Sequence, residues 1–174
     1  MDIKETYLRA TTLIATGNPT NIISAANLLH QIVYCKGDGT PECSFWKGHA
    51  CCDLADIYLV GVESEDYLGE DGGIYSDSYI EEDKLKSYDL YRRALKYGCH
   101  DGVRVIAEIY QLLGDTDNAA KMYAAVVKYG YKGAEDAAKI LYEMIREGKI
   151  EKIPVVLVEP GWNPVMEFRL PRES

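Results

Sequence analysis

The strongest constraint on this chain is a repeat that is interrupted once. Asp83, Lys86, Leu90, Tyr91, Ala94, Tyr97 and Gly98 are echoed by Asp115, Asn118, Met122, Tyr123, Val126, Tyr129 and Gly130, each 32 residues on. Upstream, Ala50, Leu54, Ala55 and Tyr58 are echoed by Gly102, Ile106, Ala107 and Tyr110, each 52 residues on. The two offsets differ by 20, so about 20 extra residues lie between Tyr58 and Asp83, inside one repeat. A period in the thirties built from helix-forming halves marks a helical solenoid, because each unit buries its apolar stripe only by stacking on its neighbours. The expected fold is all-α, an α-α superhelix of about seven helices with a short C-terminal β or extended tail. At 174 residues and 47% hydrophobic content, the chain suits one helical-repeat domain over residues 1–174.

Residues 2–16 read as an amphipathic helix with Ile3, Tyr7, Ala10, Leu13 and Ile14 on one side and Asp2 placed to cap its start. Pro19 and Thr20 open a second helix whose Ala25, Ala26, Leu28 and Leu29 echo Ala119, Ala120, Met122 and Tyr123 at a constant spacing of 94. Residues 1–35 are thus a divergent first repeat. The Gly, Pro and Asp content of residues 36–44 predicts a loop, and Phe45 and Trp46 a packing plug just before a helix that starts at Gly48. Further helices are expected over 48–60, 83–97, 103–113, 116–129 and 134–147. They divide the chain into a repeat at 48–98 with an acidic insert at 63–82, a repeat at 102–130, and a final helix at 134–147. Residues 149–174 change period and read as a hairpin or strap that covers the last repeat's apolar face. The open alternative is a strand added to a partner or to a second copy of the chain.

A formal net charge of −9 excludes nucleic acid and anionic membrane as partners, since both need a basic surface. Eight acids and no Lys or Arg lie between Glu63 and Glu82, so the rest of the chain sums to −1. That insert is either a solvated mobile loop or, through Tyr67, Tyr75 and Tyr79 among carboxylates, a contact for a basic protein surface. The first twenty residues carry Lys4, Glu5 and Arg9 without the apolar core of a signal peptide, and no run reaches membrane-span length. A cytoplasmic location is expected.

The five cysteines, odd in number and including the adjacent pair Cys51 and Cys52, suit reduced thiols better than a disulfide framework. Cys35, Cys43, His49, Cys51 and Cys52 carry the atoms zinc prefers but lack its knuckle spacing, so no metal or cofactor is expected. His100, between Cys99 and Asp101 at a helix–helix turn, lacks the geometry of a nucleophile and base. No phosphate-cradling loop, nucleophile elbow or paired-His helix is present in the sequence, and a non-enzymatic role is expected.

The pattern Ala50-x3-Leu54-Ala55-x2-Tyr58-x2-Gly61, followed by Asp83-x2-Lys86-Ser87-x2-Leu90-Tyr91-x2-Ala94-Leu95-x2-Gly98, resembles the Sel-one-like repeat, a relative of the tetratricopeptide repeat. The resemblance covers roughly residues 50–142. It places Ala55 and Ala107 where two helices cross closely, and Tyr58, Tyr91, Tyr110 and Tyr123 at large, half-buried packing positions. Lys139 stands where a small residue belongs, which shifts the phase of the last helix by one position. The family implies a right-handed superhelix whose first helices line a concave groove that holds a protein or peptide. Carried onto this chain, that face comprises Cys52, Asp56 and Leu59, then Arg104, Glu108 and Gln111, then Asp136 and Glu143. It is mostly acidic, so the expected guest is a basic protein or peptide. The expected function is an adaptor or scaffold acting through this groove, through the insert with Tyr67 and Tyr75, or both. A monomer is expected, with self-association through the tail left open. The alternatives are an inhibitor or immunity protein that neutralises a basic toxin or nuclease, and a cysteine-based metal or redox sensor.

Overall fold

A computed structural model describes residues 1–63 and 79–155, together with the backbone of residues 67–68 and 74–75. The chain is mostly helical. Among the described residues the helices are α1 (Ile3–Ala15), α2 (Pro19–Tyr34), α3 (Pro41–Val60), α4 (Lys84–Lys96), α5 (Val103–Leu112), α6 (Thr116–Tyr129) and α7 (Ala134–Arg146). Four two-residue strands, β1 (Val62–Glu63), β2 (Tyr67–Leu68), β3 (Ile74–Tyr75) and β4 (Tyr79–Ile80), lie between α3 and α4. None of the described helices is long and apolar enough to cross a membrane. The chain divides into two compact units, Met1–Gly98 and Cys99–Ser174.

In the first unit α1 packs on α2, α2 on α3, and α3 on α4. Ala25, Ala50, Leu54, Ala55, Tyr91 and Ala94 are buried at the centre of this stack, and the small side chains let the helix axes approach closely. Asp2, Asn18, Thr40 and Asp83 cap the four helices by accepting a backbone N–H three residues on.

One boundary differs from the sequence expectation. Helix α3 begins at Pro41, seven residues before Gly48, so part of the expected loop and both Phe45 and Trp46 lie inside the helix. The cause is the pair Thr40-Pro41. The Thr40 side chain accepts the Cys43 N–H at 3.2 Å, and proline at the first helical position loses no intrahelical bond. Trp46 packs on Tyr7 of α1 with ring centroids 5.3 Å apart, which makes it a plug within the first unit.

Residues 64–66, 69–73 and 76–78 of the insert lie outside the described residues. Antiparallel ladders pair Val62 with Ile80 and Glu63 with Tyr79, and further out Tyr67 with Tyr75 and Leu68 with Ile74. At its base the Asp83 N–H donates to the Tyr58 carbonyl at 2.8 Å. Gly61, at φ +69°, allows the returning strand to pass: a Cβ there would stand 2.9 Å from the Ile80 carbonyl oxygen. The insert therefore leaves and re-enters the repeat at one point, and α3 and α4 pack on each other as the uninterrupted repeat does.

In the second unit α5 packs on α6 and α6 on α7. Ile106, Ala107 and Tyr110 of α5 meet Ala119, Ala120, Met122, Tyr123 and Val126 of α6 in its core. Tyr91, Tyr110 and Tyr123 are at most 1% exposed, against the half-burial expected, while Tyr58 is half-buried. In α7 the buried residues are Ala137, Leu141 and Met144, and Tyr142 is 68% exposed. Ala137 and Leu141 follow Ile106 and Tyr110 by 31 residues, so the last helix is shifted by one position, as Lys139 implied. Ile153, Pro154 and Val155, at the start of the expected strap, line a cavity of about 320 Å³ with Val127 of α6 and Ala138 and Leu141 of α7. Residues 156–174 of the strap lie outside the described residues.

Candidate functional site

Arg104, Glu108 and Gln111 fall at i, i+4 and i+7 of α5, which sets them on one stripe opposite the buried Val103, Ile106 and Tyr110. Arg104 and Glu108, both half-buried, form an ion pair. The Arg104 stem occupies the space a side chain at residue 133 would fill, and Gly133 at φ +83° leaves it open. From α6, the buried Tyr123 donates its hydroxyl to Gln111 Oε1 at 3.0 Å. Burial raises the Tyr123 pKa well above the usual value of 10; the Glu108 charge adds to that and Arg104 opposes it. The phenol therefore stays protonated at neutral pH and remains a donor. Three of the residues expected on the groove face are thus brought together in the second unit.

The first unit repeats the device. Tyr91 of α4, 32 residues before Tyr123, is 1% exposed and donates its hydroxyl to Asp56 of α3, whose carboxylate faces solvent. In both units a buried tyrosine of the second helix holds an exposed acceptor on the first. Cys52, expected on the same face, is buried, and Leu59 is half-buried. Sequence reasoning assigned both tyrosines to packing only. The available signal was the choice of tyrosine over phenylalanine at core positions, since a buried phenol takes a hydrogen-bond partner.

Asp136 and Glu143 are exposed on α7, with Asp136 Oδ1 3.8 Å from Lys139 Nζ. With the one-position shift of α7, the burial-phase equivalents of Arg104 and Gln111 are Glu135 and Tyr142, each next to a projected residue. Tyr67 and Tyr75 are register partners across β2 and β3, and their side chains lie outside the described residues.

None of the five cysteines is in a disulfide, and four of them are buried. Among the described residues Cys35, Cys43, Cys51 and Cys52 join no group of three closely spaced ligand atoms. Lys47, only 5% exposed, donates its Nζ to the Cys35 carbonyl at 2.6 Å and so closes the C-terminal end of α2.

A second surface was missed. Lys84, Lys86, Arg92, Arg93 and Lys96, five of the chain's 19 basic residues, lie on α4. The Lys86 ammonium sits 3.9 Å from the Tyr58 ring centroid and the Arg93 guanidinium 4.9 Å from that of Tyr34. Tyr58 Oη is 2.8 Å from His30 Nε2, and burial, then the Lys86 charge, lowers the His30 pKa below its ordinary 6.5. The cationic run was legible in the sequence but was overlooked beside the total of −9.

No family model matches the chain, and no curated protein or solved structure matches it.

Proposed function

We propose that the chain is a non-enzymatic interaction module, its helix pairs being solenoid repeats, and that it binds a basic protein or peptide. The contact surface of the second unit is the α5 stripe of Arg104, Glu108 and Gln111, and the first unit by itself offers the corresponding acceptor, Asp56 on α3. The observation that carries this reading is the recurring hydrogen bond from a buried tyrosine to an exposed acceptor, Tyr91 to Asp56 and Tyr123 to Gln111. An acceptor fixed from below loses little conformational freedom on binding, so its hydrogen bond to a guest is not offset by ordering. The eight acids of residues 63–82 add long-range attraction for a cationic guest.

The test is fluorescence anisotropy with a labelled Lys/Arg-rich peptide and a Glu-rich peptide of equal length. Wild type is compared with Asp56→Asn, Gln111→Ala and a variant in which the acids of 63–82 are neutralised. We expect selective binding of the basic peptide that weakens with salt, and a loss of about tenfold in the stripe variants. Loss confined to the insert variant moves the contact to the insert. Absence of binding to either peptide rejects the reading.

A further inference from the structure

Local interactions account for only part of the basic face of α4. Arg93 and Lys96 lie in the last turn, where the helix dipole favours cations, but Lys84 and Lys86 lie in the first turn, where it disfavours them. The acids at this helix start precede it, Asp83 as the N-cap that accepts the Lys86 N–H and Glu82 beside Lys84. Lys84 is 2.9 Å from Glu82, whereas Lys86, Arg93 and Lys96 have no carboxylate partner within 4.0 Å among the described residues. Arg92 is 3.7 Å from Asp89, too far for a strong pair.

These side chains do not point independently into solvent. Lys86, Arg92, Arg93 and Lys96 line one open cavity of about 320 Å³ with Tyr34 of α2 and the lone acid Asp89. Its ionisable lining carries four positive charges and one negative, on a chain whose total is −9. Two of the cations are held by aromatic rings, Arg93 by Tyr34 and Lys86 by Tyr58, which restricts their rotamers. Tyr34 also stacks on His30 with centroids 5.7 Å apart, so its ring supports the guanidinium and is already engaged. Finally, Arg92 Nε is buried without a hydrogen-bond partner among the described residues, a rare condition for a polar atom in a folded protein.

We propose that this cavity is an anion site for a phosphate-chain ligand, one that carries at least two adjacent phosphoryl groups. Four cations around one opening repel one another, and a compact multiply charged anion relieves that repulsion at several contacts at once. Guanidinium groups match phosphate oxygens in pairs, and Lys86 and Lys96 supply point charges at the rim. Because the Tyr34 ring is engaged, recognition rests on the phosphate chain, and a nucleobase adds little.

The experiment is isothermal titration calorimetry of the full chain with sodium pyrophosphate, with a nucleoside diphosphate, which carries the same two phosphoryl groups, and with a Glu-rich peptide, at two salt concentrations. The variants are Lys86→Gln and Arg93→Gln, with Lys139→Gln, on α7, as a control that makes the same charge change. Circular dichroism establishes that each is folded. We expect saturable 1:1 binding of both phosphate ligands, weakened roughly tenfold or more by either α4 variant and less than about twofold by the control. Equal affinities for the two phosphate ligands identify the phosphate chain as the recognised group. Four results overturn the proposal: no saturable binding of either phosphate ligand, equal loss in the control variant, a markedly tighter nucleotide than pyrophosphate, or binding of the acidic peptide alone.

Discussion

Ser87 and His30 show what single side chains contribute in the first unit. Ser87 is fully buried on α4, and its hydroxyl has no hydrogen-bond partner among the described residues. Removing an unsatisfied buried hydroxyl ends a desolvation cost without loss of a bond, so Ser87→Ala is expected to raise stability by up to about 1 kcal/mol. Urea denaturation checks this, and a decrease of similar size would contradict it. His30 is held neutral in the fold by burial and by Lys86, with its pKa below the ordinary 6.5. The unfolded chain then binds the proton more readily than the native one. Stability is fully present above pH 6.5 and declines as pH falls from there through the folded pKa. Denaturation midpoints across that window should slope downward toward acid in wild type and less steeply in His30→Gln. Equal slopes would remove the assignment. The repeated spacing marked Tyr91 and Tyr123 as packing positions, expected half-buried where the structure buries them fully. Their hydroxyl partners were not legible, since which acceptor each reaches depends on the crossing of two helices.

At the scale of elements, two junctions decide where helices and strands begin. Thr40 caps α3 through the Cys43 N–H, and Thr40→Ala is expected to cost about 1 kcal/mol and fray the segment that carries Phe45 and Trp46. Gly61→Ala is expected to cost more than about 1 kcal/mol, because it meets both a left-handed backbone at φ +69° and the Glu82 backbone nitrogen 3.0 Å from the new Cβ. Thermal unfolding of the two variants tests both values, and a wild-type midpoint for Gly61→Ala would show that the insert's base can move. The α3 start was misread because Gly37, Asp38, Gly39 and Pro41 are all loop-forming residues, and only their order reveals a cap followed by a first-turn proline. Most other boundaries fell within one residue of expectation. Asp83 and Asp115, for example, are 32 residues apart and both serve as N-caps.

At the scale of the whole molecule, charge and repeat are carried by separate parts of the chain. Replacing residues 62–80 with a short turn removes six acids and takes the formal net charge from −9 to −3. Because the insert's ends meet at Gly61 and Asp83, the packing of α3 on α4 should survive, with helical circular dichroism retained and the melting midpoint little changed. A large loss of helix would show that the insert supports the repeat. The sequence by itself determined the helical class, the repeat offsets, the insert's position and the shifted phase of α7, because these follow from the local periodicity of apolar residues and from caps within one turn. Only the tertiary structure decided that Tyr91 reaches Asp56, that Tyr123 reaches Gln111, and that Tyr34 joins four α4 cations around one cavity. Those pairings join residues 12 to 62 positions apart, and their contacts depend on how helices cross, which no local pattern encodes.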